Sequence, residues 1–360
     1  MQKSIHIDYQ DNLSVEKKLL LQAALGDEAL CLTAWHDWKI RVDIDNIDSD
    51  SYHLLPLLYR NLLIHQINDS EITQLKGIYR KNWYKNQFFL VQLTQIWSAF
   101  SEAGIACIVL GDLAINLSVY SNLGDRVINN LELMIPVEDF DNTIRVLNEL
   151  GWHSRVEIIK KSFFEFYSSI YLWNEVGDCL HLHWRLWEGI LYNNLISKTT
   201  VLNNNDLNFT ILDFPYQIIH ICSKIKRLDF NFTLYWLADI IMIIKQFQQN
   251  QNANFELIIS NLQKYHVAIP FNNFIHIQRV LGILNESFSK QIDSISITEK
   301  EQREFNWIIQ KRKRFLGHFI QYYLGYLQWK MINSRSDHWL EVLIYIKKYL
   351  FFKIVYQPPR

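Results

Sequence analysis

Apolar residues recur three or four positions apart along the first hundred residues. In VEKKLLLQAALG, HLLPLLYRNLL and FFLVQLTQIWSAFSEAG this spacing predicts helices from Ser14 to about Ser101. Gly104 supplies the stop for the last of them. The period then shortens: IACIVLG reads as a short buried strand and LAINLSVY as a helix behind it, giving a strand, a glycine turn and a helix. A second strand follows in RVINNLELMIP, Arg126 to Pro136. There Leu131, Leu133 and Ile135 alternate with Asn130, Glu132 and Met134, so an amide and a carboxylate share a face.

VEDFDNTIRVLNELGW predicts a helix with acidic residues near its start and Gly151 at its end. Two more strands are expected in SFFEFYSSIYLW and CLHLHWRLW, joined by a hairpin turn at NEVGD. VLNNNDLNFTILDFP reads as a loop. Helical spacing then returns in YQIIHICSKIKRL, TLYWLADIIMIIKQF, FNNFIHIQRVLGIL, EQREFNWIIQKRKRFLGHF and the terminal run EVLIYIKKYLFFKIVY. No internal repeat is visible. The pattern is an α+β chain: a helical region over 1–103, a small mixed-sheet module over 104–190, and a helical region over 210–360.

Composition supports an ordered core. Hydrophobic residues make up 49% and aromatics 14% of the 360 residues, against only 11 Gly and 6 Pro, which excludes extended disorder. A formal net charge of -1 provides no global field for nucleic acid or an anionic membrane. The basic run KRKR, Lys311 to Arg314, reads as a solvated helix face, with an acidic peptide or nucleic acid as the alternative contact. Cys31, Cys107, Cys179 and Cys222 form no C-x-x-C pair, which suits reduced thiols in a cytoplasmic protein and argues against a cysteine zinc site. The N-terminus lacks a signal-peptide apolar run. The terminal run is interrupted by Lys347, Lys348 and Lys353, so it is expected to pack on the core rather than span a bilayer; an interfacial membrane helix is the alternative.

The order of these elements, with IVLGDLAI, Arg126 to Pro136, LHLHWRL and LYWLADIIMII at its centre, resembles a family of bacterial nucleotidyltransferases found beside peptide natural-product genes. WHDWKIRVDIDNID leading to LLPLLYRNL extends the similarity, which runs from about Trp35 to Gln246. The resemblance implies a nucleotidyltransferase-like sheet module in which carboxylates on the second strand and a later strand hold magnesium for a nucleoside triphosphate such as ATP. In this chain Gly111 matches the turn glycine, while Leu110 replaces the lysine before it. Arg126 matches the arginine preceding the acidic strand. Asn130 stands at the first acidic position and Glu132 at the second; His181 replaces the third carboxylate, and His183 and Trp184 are kept. Cys222 and Asp239 also match, whereas Lys224 and Leu228 stand where the resemblance expects histidines.

The expected chemistry is therefore altered. Asn130 reads as a structural amide whose carbonyl oxygen can still serve a cation. Glu132, His181, His183 and Arg126 are candidate catalytic groups, and Glu132 with His181, and His183 as a further ligand, is a candidate site for zinc or another transition metal; the alternative is an interior histidine beside a solvated one. Arg126 can grip phosphate or pair with Glu132 or Asp125. Asp112 and Asp125 read as turn or cap residues or as displaced carboxylates. Asp239, in an apolar helix, is expected to pair with Lys224 or Arg227. Gly111, Asp112, Asp125, Asn130, Lys224 and Asp239 complete the candidate binding residues.

No P-loop, H-E-x-x-H motif or nucleophile elbow is present. The expectation is a tailoring or biosynthetic protein acting on a small molecule or peptide, with its magnesium-dependent transfer weakened or lost. A non-catalytic binding protein, an enzyme using acid–base or transition-metal chemistry in the same cleft, and an active divergent transferase using magnesium and ATP are the alternatives.

Overall fold

Short polar side chains start many of the helices. Ser14 accepts from the Lys17 amide ahead of α1 (Val15–Leu25), and Asp27 accepts from Leu30 ahead of α2 (Glu28–Arg41). The short α3 (Ser49–Tyr52) is capped by Asp48, and Pro56 opens α4 (Leu55–Ile64). The long α5 (Ile72–Glu102) ends at Gly104, whose φ is 68°. The computed structural model describes residues 13–155, 164, 167–186, 189–204, 207–228, 230–249, 254–284 and 295–311. The terminal run EVLIYIKKYLFFKIVY, Arg312 to Arg314 of the basic run, and most of SFFEFY lie outside them.

The expected strand, turn and helix form as β1 (Ile108–Leu110) and α6 (Gly111–Val119), and the acidic strand is β2 (Leu131–Met134). Helix α7 (Phe140–Glu149) and β3 (His153–Ser154) follow, then β4 (Ser169–Trp173) and β5 (Cys179–His183). These last two strands form a hairpin, with Gly177 at φ 89° in the turn between them. Two short strands, β6 (Arg185–Leu186) and β7 (Ile190–Leu191), pair separately, and α8 (Tyr192–Leu195) comes next.

The expected loop VLNNNDLNFTILDFP is instead a hairpin of β8 (Thr199–Asn204) and β9 (Leu207–Leu212). Its asparagines obscure a strand signal, but Phe209 and Ile211 alternate with Asn208 and Thr210, and both apolar residues are buried. The sheet consequently extends beyond residue 190. Its order is β3-β4-β5-β2-β1-β9-β8. β2 runs antiparallel to β1 and parallel to β5, while β9 runs parallel to β1.

After β9 the chain enters α9 (Phe214–Arg227), with Pro215 in its first turn, and then α10 (Leu234–Gln248), capped by Thr233. Helices α11 (Phe255–Lys264), α12 (Ala268–Leu281) and α13 (Glu299–Lys311) follow. One sheet face places Leu131, Leu133, Leu180 and Leu182 against Phe89, Leu93 and Phe100 of α5 and Leu147 of α7. On the other, Ile108, Leu110 and Met134 join a core that includes α1, α4, α9 and α10. Both α9 and α10 pack on α6. This second face carries the polar residues.

Candidate functional site

Strand pairing sets the first half of the site. Glu132 lies opposite Leu110 on one side and His181 on the other, and His183 follows two positions along β5, so Glu132, His181 and His183 share a face. Gly111 is required for two reasons. Its φ is 64°, and a Cβ there would collide with the Glu132 carboxylate. Helix α9 supplies the second half: because β9 lies beside β1, the helix leaving it crosses this face and brings His220 and Lys224, one turn apart, over Glu132.

Glu132 is 2% exposed and surrounded. Lys224 Nζ donates to Oε2 at 2.5 Å, and His220 Nε2 lies 2.9 Å from Oε1. His183, 1% exposed, brings its Nε2 to 3.1 Å from Oε1, while its Nδ1 lacks a hydrogen-bond partner. His181 stacks on Tyr171 with ring centroids 4.0 Å apart, and its Nε2 is 2.8 Å from Ser169 Oγ. Burial alone would raise the pKa of Glu132; the charge of Lys224 and the two nearby imidazoles outweigh it and hold the carboxylate well below its ordinary range. Burial has the opposite effect on the bases, pushing His220 down to about 4, His181 well below its usual value and His183 below it. With these shifts the carboxylate is ionised and the three imidazoles are neutral at neutral pH.

Arg126 does not face this cluster as a free phosphate grip, nor does it pair with Glu132 or Asp125. Its Nη2 lies 2.8 Å from Asp239 and 2.9 Å from Asp112, its Nε donates to both Asp239 oxygens, and its guanidinium lies 4.9 Å from the Tyr235 ring centroid. The expected Lys224 or Arg227 partner of Asp239 is therefore replaced by Arg126, together with the Tyr120 hydroxyl at 2.8 Å. Burial pushes Asp239 up despite Arg126, whereas for Asp112 the charges of Arg126 and Lys224 overcome burial and lower it. Asp125 pairs elsewhere, with Arg60 at 3.2 Å. The Asn130 amide donates to the Leu131 carbonyl.

Of the residues expected from sequence, the fold joins Glu132, His181, His183 and Lys224 in one cluster and Arg126, Asp112 and Asp239 in another. His220 was missed. Its signal is the four-residue interval to Lys224, which places both on one side of a helix.

Magnesium requires a near-octahedral set of hard oxygen ligands. The strand offers one carboxylate, which already carries an ammonium on Oε2, with imidazole in place of another oxygen donor; Asp112 and Asp125 are engaged by arginines. These residues do not fit the ion implied by the resemblance.

The mixed sheet, with its glycine turn, acidic strand and overlying helices, defines a nucleotidyltransferase-like α+β protein. The chain belongs to the family described as uncharacterised nucleotidyltransferase, whose model matches residues 50–282. Among solved structures it is similar to the antibiotic-resistance factor ANT(2'')-Ia, with 10% identity and a TM-score of 0.37 over 50% of this chain and 94% of the other. The lincosamide antibiotic adenylyltransferase LnuA, bound to lincomycin, gives 14% identity and a TM-score of 0.32 over 44% of this chain and 94% of the other. An antigenic nucleotidyltransferase-like protein from Paracoccidioides brasiliensis gives 16% identity and a TM-score of 0.30 over 48% and 87%. A search of curated proteins finds no match. No helix among the described residues is long and apolar enough to cross a membrane.

Proposed function

We propose that this chain is a tailoring or biosynthetic protein of the nucleotidyltransferase family in which magnesium-dependent nucleotidyl transfer is lost and the cleft is repurposed to act on a small molecule or peptide. The observation that carries this reading is the donor set around Glu132: the imidazoles of His181, His183 and His220 surround a single carboxylate where magnesium needs several hard oxygens. The retained family resemblance supports recognition of a ligand in the old cleft. It does not supply the charge for two-metal transfer.

Calorimetry with ATP, with and without magnesium, tests the reading alongside an assay for pyrophosphate release in the presence of small-molecule and peptide acceptors. The expected result is no magnesium-dependent increase in ATP affinity and no pyrophosphate. Magnesium-dependent binding accompanied by release would overturn it.

A further inference from the structure

His183 is the unexplained member of the cluster. An imidazole deep in the protein normally finds a partner for each nitrogen, since an unmade hydrogen bond leaves the cost of desolvation uncompensated. Here Nδ1 has no partner and Nε2 meets only the Glu132 carboxylate, at 3.1 Å, with His181 on the same sheet face. One ligand atom each from Glu132, His181 and His183 can be chosen so that all three lie within 4.8 Å of one another. We propose that Glu132, His181 and His183 form a binding site for a zinc-type transition-metal dication.

The donor set suits that ion rather than magnesium. Two imidazole nitrogens and one carboxylate oxygen match a borderline metal, and this combination is used where a fourth position stays open to water or a ligand. Tetrahedral bonds of about 2.0–2.1 Å place ligand atoms about 3.4 Å apart, so small side-chain rotations close the site. Ser169 and the Tyr171 ring already restrain His181, which limits how far it must be reordered. Lys224 is the part that must yield. Its side chain is 24% exposed and ends a flexible stem, so an arriving dication can displace the ammonium into solvent while His220 remains beside the carboxylate. The open coordination position would then face the mouth vacated by Lys224. This inference rests on the proposed abandonment of magnesium chemistry and assigns the repurposed cleft a different ion.

Titration of the chelator-treated full-length protein with Co²⁺, followed by visible absorption, and with Zn²⁺, followed by calorimetry, reads the site directly. One equivalent with an absorption pattern of nitrogen and oxygen ligation is expected. His181→Asn should weaken binding at least tenfold, as should His183→Gln, while Lys224→Met should tighten it by removing the competing ammonium. Circular dichroism establishes that each variant is folded; His181 is less completely buried than His183, which makes its substitution the more tolerant one. Binding that survives both histidine substitutions, that is lost in Cys179→Ser, or that is absent from the wild type overturns the site. So does loss of binding in Lys224→Met. Magnesium-dependent pyrophosphate release would separately overturn the functional reading, so the two failures are distinguishable.

Discussion

Arg126 shows how strongly one side chain's role depends on its surroundings. At 3% exposure it carries the charge between two buried aspartates, Asp112 and Asp239, so its removal strands both. Arg126→Met is expected to destabilise the protein by about 3–5 kcal/mol, the usual scale for breaking a buried ion pair from one side. Chemical denaturation measures this. A loss below about 1 kcal/mol would indicate the loosely held surface pair that the geometry argues against. Gly111 is a second such position, where the left-handed backbone and the Glu132 carboxylate both oppose a side chain. Gly111→Ala is expected to cost more than about 1 kcal/mol, through strain and displacement of Glu132. An unchanged denaturation midpoint would show that the turn relaxes freely.

At the scale of elements, α13 is joined to α12 through one buried carboxylate. Glu301, 1% exposed, accepts from the Ile269 amide at 2.7 Å in the first turn of α12, but its other oxygen lacks a hydrogen-bond partner. Burial pushes its pKa from 4.5 up to about 7. Because the folded protein holds this proton more tightly than the unfolded chain, the stabilising contribution is full below about 4.5 and is lost as pH rises through about 7. The change is on the order of 3 kcal/mol at most. Hydrogen exchange of α13 amides is therefore expected to report weaker docking at pH 8 than at pH 5, after correction for intrinsic exchange. Glu301→Gln should flatten the difference, and an unaltered pH dependence in that variant would contradict the assignment.

Across the whole molecule, the helices before and after the sheet share one core. Leu20 and Leu58 belong with Ile108 of the sheet and Ile219, Ile241 and Phe271 of the later helices. Polar ties reinforce the apolar contacts: Gln22 donates to the Leu281 carbonyl at 3.0 Å, Lys245 to that of Leu25 at 2.7 Å, and Asp50 accepts from the Leu234 amide at 2.9 Å. A core drawn from both ends of the described chain predicts coupled unfolding. Tryptophan fluorescence and far-ultraviolet circular dichroism are expected to give coincident denaturation curves. Well-separated transitions would show that the helical regions and sheet are energetically independent.

The strand, glycine turn and helix at Ile108 to Val119, the alternation through Glu132, and the helices α5 and α10 were legible from sequence because each rests on local periodicity. The hairpin at Thr199 to Leu212 was not, since its asparagines imitate a loop until Phe209 and Ile211 are seen packing in the sheet core. For the site, the sequence determined the residue types on the two strands, Asn130 and Glu132 on one and His181 and His183 on the other. Only tertiary structure decided what surrounds Glu132. Parallel pairing of β9 with β1 sends α9 across the sheet, bringing His220 and Lys224 onto Glu132 from 88 and 92 residues away, while Arg126 turns to Asp239. Local patterning encodes which face of an element is apolar; the choice of partner for a buried charge depends on which distant elements close over that face and exclude water.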